Sequence, residues 1–168
     1  FPKYWSASYF EEVAGDLRSC GLSFAGSIPA CMNVRELSVP KKFQDLLRTA
    51  PNRGVYETHK SFVLNEMFRR DLYVKPPVAQ PDPAAVEAWD DLAFGALVEP
   101  RDLRLQVRLP AGEVTYSGPI YPVLTGILLD RAMRFGDLRA DPRLAAWEPA
   151  HVLHSLHMLC AGGQFGVL

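Results

Sequence analysis

The chain has 168 residues, of which 48% are hydrophobic and 22% are charged. It is therefore long enough and apolar enough to bury a core without disulfide or metal support. Eighteen Lys and Arg residues against nineteen Asp and Glu residues leave a formal net charge of -1. This balance excludes a general positive field that would attract nucleic acid or an anionic membrane.

Cysteine usage and hydropathy indicate a cytoplasmic protein. Cys20, Cys31 and Cys160 are an odd number and form no CxxC pair, so we expect free thiols. No apolar run approaches the roughly 18 residues that span a bilayer, and no segment resembles a signal peptide. Because the chain opens at Phe1 without a methionine, we expect it to be a piece of a longer protein.

The first part of the chain alternates helix and strand signals. Ser8-Tyr9-Phe10-Glu11 has the S-x-x-E form of a capping box, which predicts a helix over residues 8–20 that ends at Gly21. A short strand is predicted over 22–25. Apolar spacing predicts a short helix around 43–47.

A third helix is predicted over residues 56–68 from its amphipathic spacing, and a strand over 72–75. In this interpretation the helix turns one side to the core and leaves the polar side in water. The core side carries Phe62, Val63 and Met67, and the wet side carries Glu57, Lys60, Asn65 and Glu66. Phe68 should join Phe62 in the core, and the side chain of Asn65 should cap the corner between helix and strand by bonding to the backbone. Of the adjacent Arg69 and Arg70, at least one should point outward.

Four prolines between Pro76 and Pro83 predict a boundary between two subdomains, 1–78 and 79–168. In the second subdomain a short helix is predicted over 84–92. The alternation from Leu103 to Leu109 predicts a strand that pairs in a hairpin with 114–116, its leucines and valine facing the core. Helices are predicted over 121–133, 136–140 and 149–161, before a β-like tail over 164–168. The fold class is thus α+β, with a winged-helix-like C-terminal subdomain.

His151, His154 and His157 recur every three residues on the last predicted helix. A metal site is one interpretation. At 100° per residue, however, His151 and His157 lie about 120° apart around the axis, and no H-E-x-x-H pattern completes such a site. The favoured interpretation is solvated or interface histidines, with no metal.

Arg69 and Arg70 lie in a segment that interleaves cations with aromatic rings, from Phe68 to Lys75. These arginines could hold an anionic ligand or form an interface with a partner domain. The alternative is that they pair with Glu66 and Asp71 as ordinary structural ion pairs.

The sequence contains no G-x-S-x-G elbow, no P-loop and no G-x-G-x-x-G turn after a strand. We therefore expect no catalytic residues and no nucleotide cofactor, although an enzyme of unrecognised type stays open. The predicted recognition helix over 149–161 contains no Lys or Arg, so DNA binding is less favoured than a protein-interaction role.

Several stretches resemble the methyltransferase regulatory domain, most specifically Phe62-x-x-Asn65-x-x-Phe68-Arg69-Arg70 and the strand after it. The weaker resemblance extends from residues 9–27 through the hairpin and the tail. Relatives in this family include protein lysine methyltransferases.

The resemblance implies a non-catalytic regulatory or substrate-recognition region of an S-adenosylmethionine-dependent methyltransferase. The catalytic domain, which would bind S-adenosylmethionine, would then lie outside this chain in the same polypeptide. That domain and possibly a protein substrate are the expected partners, and nucleic acid and membranes are not. The binding or interface candidates are Asn65, Arg69, Arg70 and Tyr73. A nucleic-acid-binding or protein-interaction winged helix is the alternative.

Overall fold

A computed structural model describes residues 6–75 and 85–168. The architecture is α+β, with small antiparallel sheets between helices. The proline-rich segment, and with it the predicted division between residues 78 and 79, lies outside the described residues.

The first half consists of helices packed beside a two-stranded sheet. Strands β1 and β2 are antiparallel, with Phe24 opposite Tyr73 and Ser27 opposite Asp71. Helices α1 and α4 pack against each other. The elements are α1 (Phe10–Ser19), β1 (Ser23–Ser27), a 3₁₀ turn (Ala30–Asn33), α2 (Arg35–Ser38), α3 (Lys41–Arg48), α4 (Arg53–Leu64) and β2 (Asp71–Val74).

The cap of α1 is shifted by one residue from the predicted box. The side chain of Glu12, rather than Glu11, accepts a hydrogen bond of 2.7 Å from the backbone N–H of Tyr9. The N-cap is therefore Tyr9 and not Ser8. The helix begins later than predicted because the backbone N–H of Tyr9, which has no partner within the helix, donates to the carboxylate of Glu12.

Helix α4 begins and ends earlier than the predicted 56–68. The side chain of Asn52 accepts a 2.9 Å hydrogen bond from the N–H of Val55, which starts the helix at Arg53. Asn65 ends it in the left-handed conformation, with φ 50° and ψ 45°. Asparagine tolerates this conformation better than most residues, so Met67 and Phe68 lie beyond the helix.

The second half packs three helices against a three-stranded sheet of order β6-β3-β7. Its core includes Phe94, Phe135 and Phe165, all fully buried. The elements are a 3₁₀ turn (Val86–Trp89), β3 (Ala93–Ala96), a 3₁₀ turn (Pro100–Asp102), β4 (Gln106–Leu109), β5 (Gly112–Thr115), α5 (Ile120–Asp130), β6 (Met133–Arg134), α6 (Phe135–Arg139), a 3₁₀ turn (Pro142–Leu144), α7 (Pro149–Ala161) and β7 (Phe165–Val167).

The order of helices and terminal strand follows the prediction, but the sheet does not follow the expected winged-helix order. Strand β7 pairs with β3, which precedes the three helices in the chain. In a winged helix the hairpin follows the third helix. The winged-helix interpretation of this half is therefore not confirmed.

The predicted strand from Leu103 to Leu109 is shorter in the structure, because the side chain of Gln164 satisfies the backbone at its beginning. Its amide accepts a hydrogen bond from the N–H of Arg104 and donates one to the Arg104 carbonyl, both at 2.6 Å. Strand β4 begins only at Gln106. The prediction that Leu105 faces the core is wrong, since its side chain is 39% exposed.

The two halves share a small core. Cys31, Met32 and Leu37 from the first half pack with Ala161 at the end of α7. The backbone N–H of Ala111, in the β4–β5 turn, donates a 3.0 Å hydrogen bond to the carbonyl of Leu37. The last turn of α7 and the hairpin therefore complete the packing of the first half.

Candidate functional site

A groove of about 500 Å³ opens between the start of α1, the last turns of α4 and the segment that leads into β2. We call it the α1–α4 groove. It brings two of the predicted site residues, Asn65 and Arg69, into one place. The described residues that line it are Ser6, Ala7, Ser8, Tyr9, Phe10, Val13, Thr58, Ser61, Phe62, Asn65, Glu66, Met67, Phe68, Arg69 and Asp71.

Asn65 shapes one end of the groove through its backbone. Its N–H donates a 3.1 Å hydrogen bond to the carbonyl of Phe62, and the N–H of Glu66 donates one of 2.9 Å to the carbonyl of Ser61. These bonds close the C-terminus of α4 and turn the chain. The expected capping by the Asn65 side chain is replaced by this left-handed turn, which leaves the side chain exposed.

Arg69 is held in the floor of the groove by every donor group of its guanidinium. Its Nε and Nη2 bind the carboxylate of Asp71, and Nη2 also reaches Glu57 at 2.9 Å. Nη1 donates to the Ser61 hydroxyl at 2.8 Å and to the Glu57 carbonyl at 3.1 Å. The guanidinium stacks on the ring of Phe10, 4.5 Å from its centroid.

Burial opposes the charge of Arg69, but its hydrogen bonds to Asp71 and Glu57 outweigh this effect and raise the pKa of the guanidinium. Arg69 therefore stays charged and fully engaged. It pairs with Asp71 as one interpretation predicted, but with Glu57 rather than Glu66 as its second carboxylate.

Beneath the groove, Glu57 and Lys60 are fully buried. Lys60 Nζ lies 2.6 Å from Glu57 Oε2 and donates a 2.9 Å hydrogen bond to the carbonyl of Met32. Arg53 Nη2 lies 2.8 Å from Glu57 Oε1. Burial is the largest influence on Lys60 and lowers the pKa of its ammonium group.

The buried and exposed sides of α4 are thus the reverse of the prediction at three positions. Glu57 and Lys60, expected in water, are buried, whereas Phe62 is 59% exposed. The reason is that Glu57 lies within reach of three cations, Arg53 and Lys60 on its own helix and Arg69 beyond it, so its charge is compensated in the interior.

The rim of the groove is aromatic and open to solvent. Tyr9 is 60% exposed, Met67 82% and Phe68 80%, and the rings of Tyr9 and Phe62 lie 5.4 Å apart. The expectation that Phe62 and Phe68 are buried in the core is wrong. Phe62 is exposed in the last turn of α4, Phe68 lies beyond the end of that helix, and both line the groove.

The other two predicted site residues lie apart from the groove. The side chain of Arg70 is exposed, and its carbonyl accepts a 2.7 Å hydrogen bond from the N–H of Ile28. This fits the expectation that one of the two adjacent arginines points outward. Tyr73 packs on Phe24 with ring centroids 5.7 Å apart, and burial raises the pKa of its phenol. A binding role for any of the four residues stays a prediction.

The sequence reasoning missed the buried part of this cluster. Ser27 on β1 donates a 2.7 Å hydrogen bond to Asp71 and accepts one of 3.0 Å from Arg69. Asn33 binds both the N–H and the carbonyl of Ser27. The available signal was the spacing of Glu57 and Lys60, which allows an ion pair across one helical turn.

The histidines of α7 do not converge. His151 and His154 are exposed, while His157 packs edge-on against Trp89 with ring centroids 4.5 Å apart. Burial lowers the pKa of His157. Within residues 6–75 and 85–168, no group of three or more His, Cys, Asp or Glu side chains is placed to hold a metal ion. None of the helices described is both long and apolar enough to cross a membrane.

Residues 1–75 match the sequence model of a family described as the predicted methyltransferase regulatory domain. The match covers 75 of the 168 residues and shows a similarity of this first part of the chain to that family. The regulatory-domain match includes α1, α4 and the whole α1–α4 groove, as well as the most specific part of the resemblance, Phe62 to Arg70. It ends at Lys75, so the weaker resemblance seen in the hairpin and the tail is not part of it.

A curated relative covers more of the chain. The chain is 28% identical over 143 residues to the uncharacterized protein sll1526 of Synechocystis sp. (strain ATCC 27184 / PCC 6803 / Kazusa). That alignment covers 85% of this chain but 28% of the relative. The chain therefore spans less than a third of the relative that it matches.

The fold is also similar to a solved structure, that of PKMT2 from Rickettsia typhi. The TM-score is 0.57 at 13% identity, over 95% of this chain and 36% of that one. At this identity the similarity establishes a shared fold, which extends beyond Lys75 into the second half.

Proposed function

We propose that this chain is a non-catalytic regulatory or substrate-recognition region of an S-adenosylmethionine-dependent methyltransferase. The observation that carries the proposal is the regulatory-domain match over residues 1–75, which contains a groove with an aromatic rim. The likeness of the fold to PKMT2 from Rickettsia typhi supports the same assignment.

The partner in this proposal is a methyltransferase catalytic domain of the same polypeptide, outside this chain. S-adenosylmethionine would be bound by that domain. The sequence of the chain has no glycine-rich cofactor loop after a strand, which such a cofactor site would need. The α1–α4 groove would receive either the catalytic domain or a protein substrate. A cytoplasmic location remains a prediction.

Of the alternatives, a protein-interaction role agrees with the same groove. A nucleic-acid role finds no support in α7, because the residues it exposes include His151 and His154 but no Lys or Arg. A helix that enters a DNA groove normally brings cations to the phosphates.

The proposal is tested by calorimetry of the chain with S-adenosylmethionine. We expect no heat of binding at micromolar concentrations. Methyl transfer is then measured for the enzyme that contains this region, with and without Phe68→Ala. We expect the variant to retain cofactor binding and to lose activity on a protein acceptor. Micromolar binding of S-adenosylmethionine by the chain alone, or unchanged methyl transfer by the variant, would refute the proposal.

A further inference from the structure

The rim of the α1–α4 groove gathers apolar side chains that are open to water. Tyr9, Phe62, Met67 and Phe68 each expose more than half of their surface, and all four line the same groove. Exposed apolar side chains that cluster around a concave surface usually mark a place where an apolar group binds. An apolar occupant would remove these side chains from water.

The cation in the groove is not available to an anionic occupant. All three nitrogens of the Arg69 guanidinium donate to Asp71, Glu57, Ser61 and Ser27. A phosphate or carboxylate would have to displace these partners. The groove therefore disfavours anions.

The chain itself enters the described part of the fold along this groove. Ser6, Ala7 and Ser8 precede α1 and line the groove. Their side chains are small and all three are exposed, so they do not cover the apolar rim. The residue bonded to Ser6 is Trp5. Because consecutive Cα atoms lie about 3.8 Å apart, the Cα atom of Trp5 is that close to a residue of the groove lining whatever its conformation.

The five residues before Ser6 have the composition of an apolar ligand. They read Phe1-Pro2-Lys3-Tyr4-Trp5, so three of the five are aromatic. Tryptophan and tyrosine have large, amphipathic rings and often dominate the energetics of protein interfaces. The only charged side chain among the five is the cationic Lys3. The segment therefore brings no carboxylate beside Glu66 and Asp71, the two carboxylates in the described lining.

A tethered segment has an advantage over any occupant that arrives from solution. Its attachment at Ser6 confines it to the neighbourhood of the groove, which corresponds to an effective concentration on the order of a millimolar. A second copy of the chain or an outside protein would have to reach a similar concentration, or bind more tightly, to replace it. The chain's own first five residues are therefore the favoured occupant.

We propose that residues 1–5 of this chain occupy the α1–α4 groove, with the ring of Trp5 packed against the paired rings of Tyr9 and Phe62. Those two rings lie 5.4 Å apart, and Tyr9 follows Trp5 by four residues. A protein that binds in the groove then has to displace this segment, so residues 1–5 regulate access to it. The inference goes beyond the proposed function and concerns the chain alone.

The test is a nuclear Overhauser experiment on the 168-residue chain. The chain has three tryptophans, and Trp5→Phe identifies the indole signal of Trp5 among them by its loss. We expect cross-peaks between the indole protons of Trp5 and the ring protons of Phe62. On dilution they should keep their intensity relative to cross-peaks within the core, because the contact lies within one molecule.

One variant and its control locate the contact. Phe62→Ala should move the indole N–H signal of Trp5 to the position that it has in a free peptide of the sequence Phe-Pro-Lys-Tyr-Trp, because the ring that shifts it is lost. The matched control is Leu46→Ala on α3, outside the groove lining, where the side chain is 57% exposed against 59% for Phe62. The control should leave the signal and the cross-peaks unchanged. Circular dichroism checks that both variants keep the fold.

A Trp5 indole signal at its free-peptide position in the unmodified chain would overturn the inference and leave the groove open to an outside partner. Cross-peaks that weaken on dilution would overturn it in favour of a second copy of the chain. A Phe62→Ala variant in which the Trp5 signal does not move would overturn it as well. None of these results bears on the proposed function, which calorimetry with S-adenosylmethionine and methyl transfer decide.

Discussion

The side chains of Glu57, in α4, and Arg69, in the segment that leads into β2, meet at 2.9 Å although they lie twelve residues apart. Glu57 is fully buried and Arg69 nearly so, its side chain being 14% exposed. This pair connects α4 to the segment that leads into β2. The pair stabilises the corner on which the α1–α4 groove is built.

Removing Arg69 should therefore destabilise the fold. We expect Arg69→Ala to lower the free energy of unfolding by about 3–5 kcal/mol, because it leaves Glu57 buried with one cation fewer. Arg70→Ala, at an exposed position, should change it by less than about 0.5 kcal/mol. Urea denaturation followed by circular dichroism measures both. Equal losses in the two variants would contradict the asymmetry that the structure assigns to them.

The buried pair of Glu57 and Lys60 should behave as a coupled unit. Either Glu57→Gln or Lys60→Met leaves the partner's charge in the interior with less compensation, whereas the double variant removes both charges. We expect the double variant to lose less stability than the sum of the single losses, by about 0.5–3 kcal/mol. Strict additivity in a double-mutant cycle would show that the two charges do not interact in the folded state.

Gly162, at the end of α7, should not tolerate a side chain. A Cβ built there collides with the hydroxyl oxygen of Tyr116, which donates a 3.1 Å hydrogen bond to the carbonyl of Met158. Gly162→Ala should cost about 1–3 kcal/mol of stability. The control is Gly126→Ala in α5, where a Cβ meets no atom within 4 Å; it should stabilise the helix by roughly 0.5–1 kcal/mol. A Gly162→Ala variant that is as stable as the unmodified chain would contradict this prediction.

His157 should make stability depend on pH. Burial lowers its pKa below the ordinary value of 6.5, and His154 contributes in the same direction. The unfolded chain therefore binds a proton that the folded chain resists, and this contribution to stability is present above pH 6.5 and lost as the pH falls through the folded pKa. His157→Leu should show a smaller decrease in melting temperature between about pH 7.5 and about pH 5.

The matched control for this effect is His151→Leu, an exposed position on the same helix. It should keep the pH dependence of the unmodified chain. A His157→Leu variant with the same pH dependence as the control would show that the buried imidazole is not the group responsible.

The parts of the fold that the sequence predicted well are those fixed by local signals. Helix α7 has the predicted bounds, because Pro149 begins it and Gly162 follows its end. The strands at 23–27 and 71–74 were found within one or two residues. Their pairing with each other, 44 residues apart at Ser27 and Asp71, has no local signal.

The same distinction explains the error on α4. Helical periodicity assigns Glu57 and Lys60 to water, because it considers each side chain alone. Their burial depends on Arg69 and on the carbonyl of Met32, which only the folded chain brings close. Phe62 and Phe68 were assigned to the core because they are apolar, again with each side chain considered alone. Asn65 was expected at the corner, but the groove that these residues line was not.

The shared core of the two halves bears on how much of the chain can fold independently. The family match ends at Lys75, yet Leu37, Met32 and Cys31 are covered by Ala161, from the end of the last helix. A fragment ended at Lys75 would leave these apolar side chains in water and the carbonyl of Leu37 without its bond from Ala111. The stretch that the family match covers is therefore shorter than the stretch needed to shield its own apolar side chains from water.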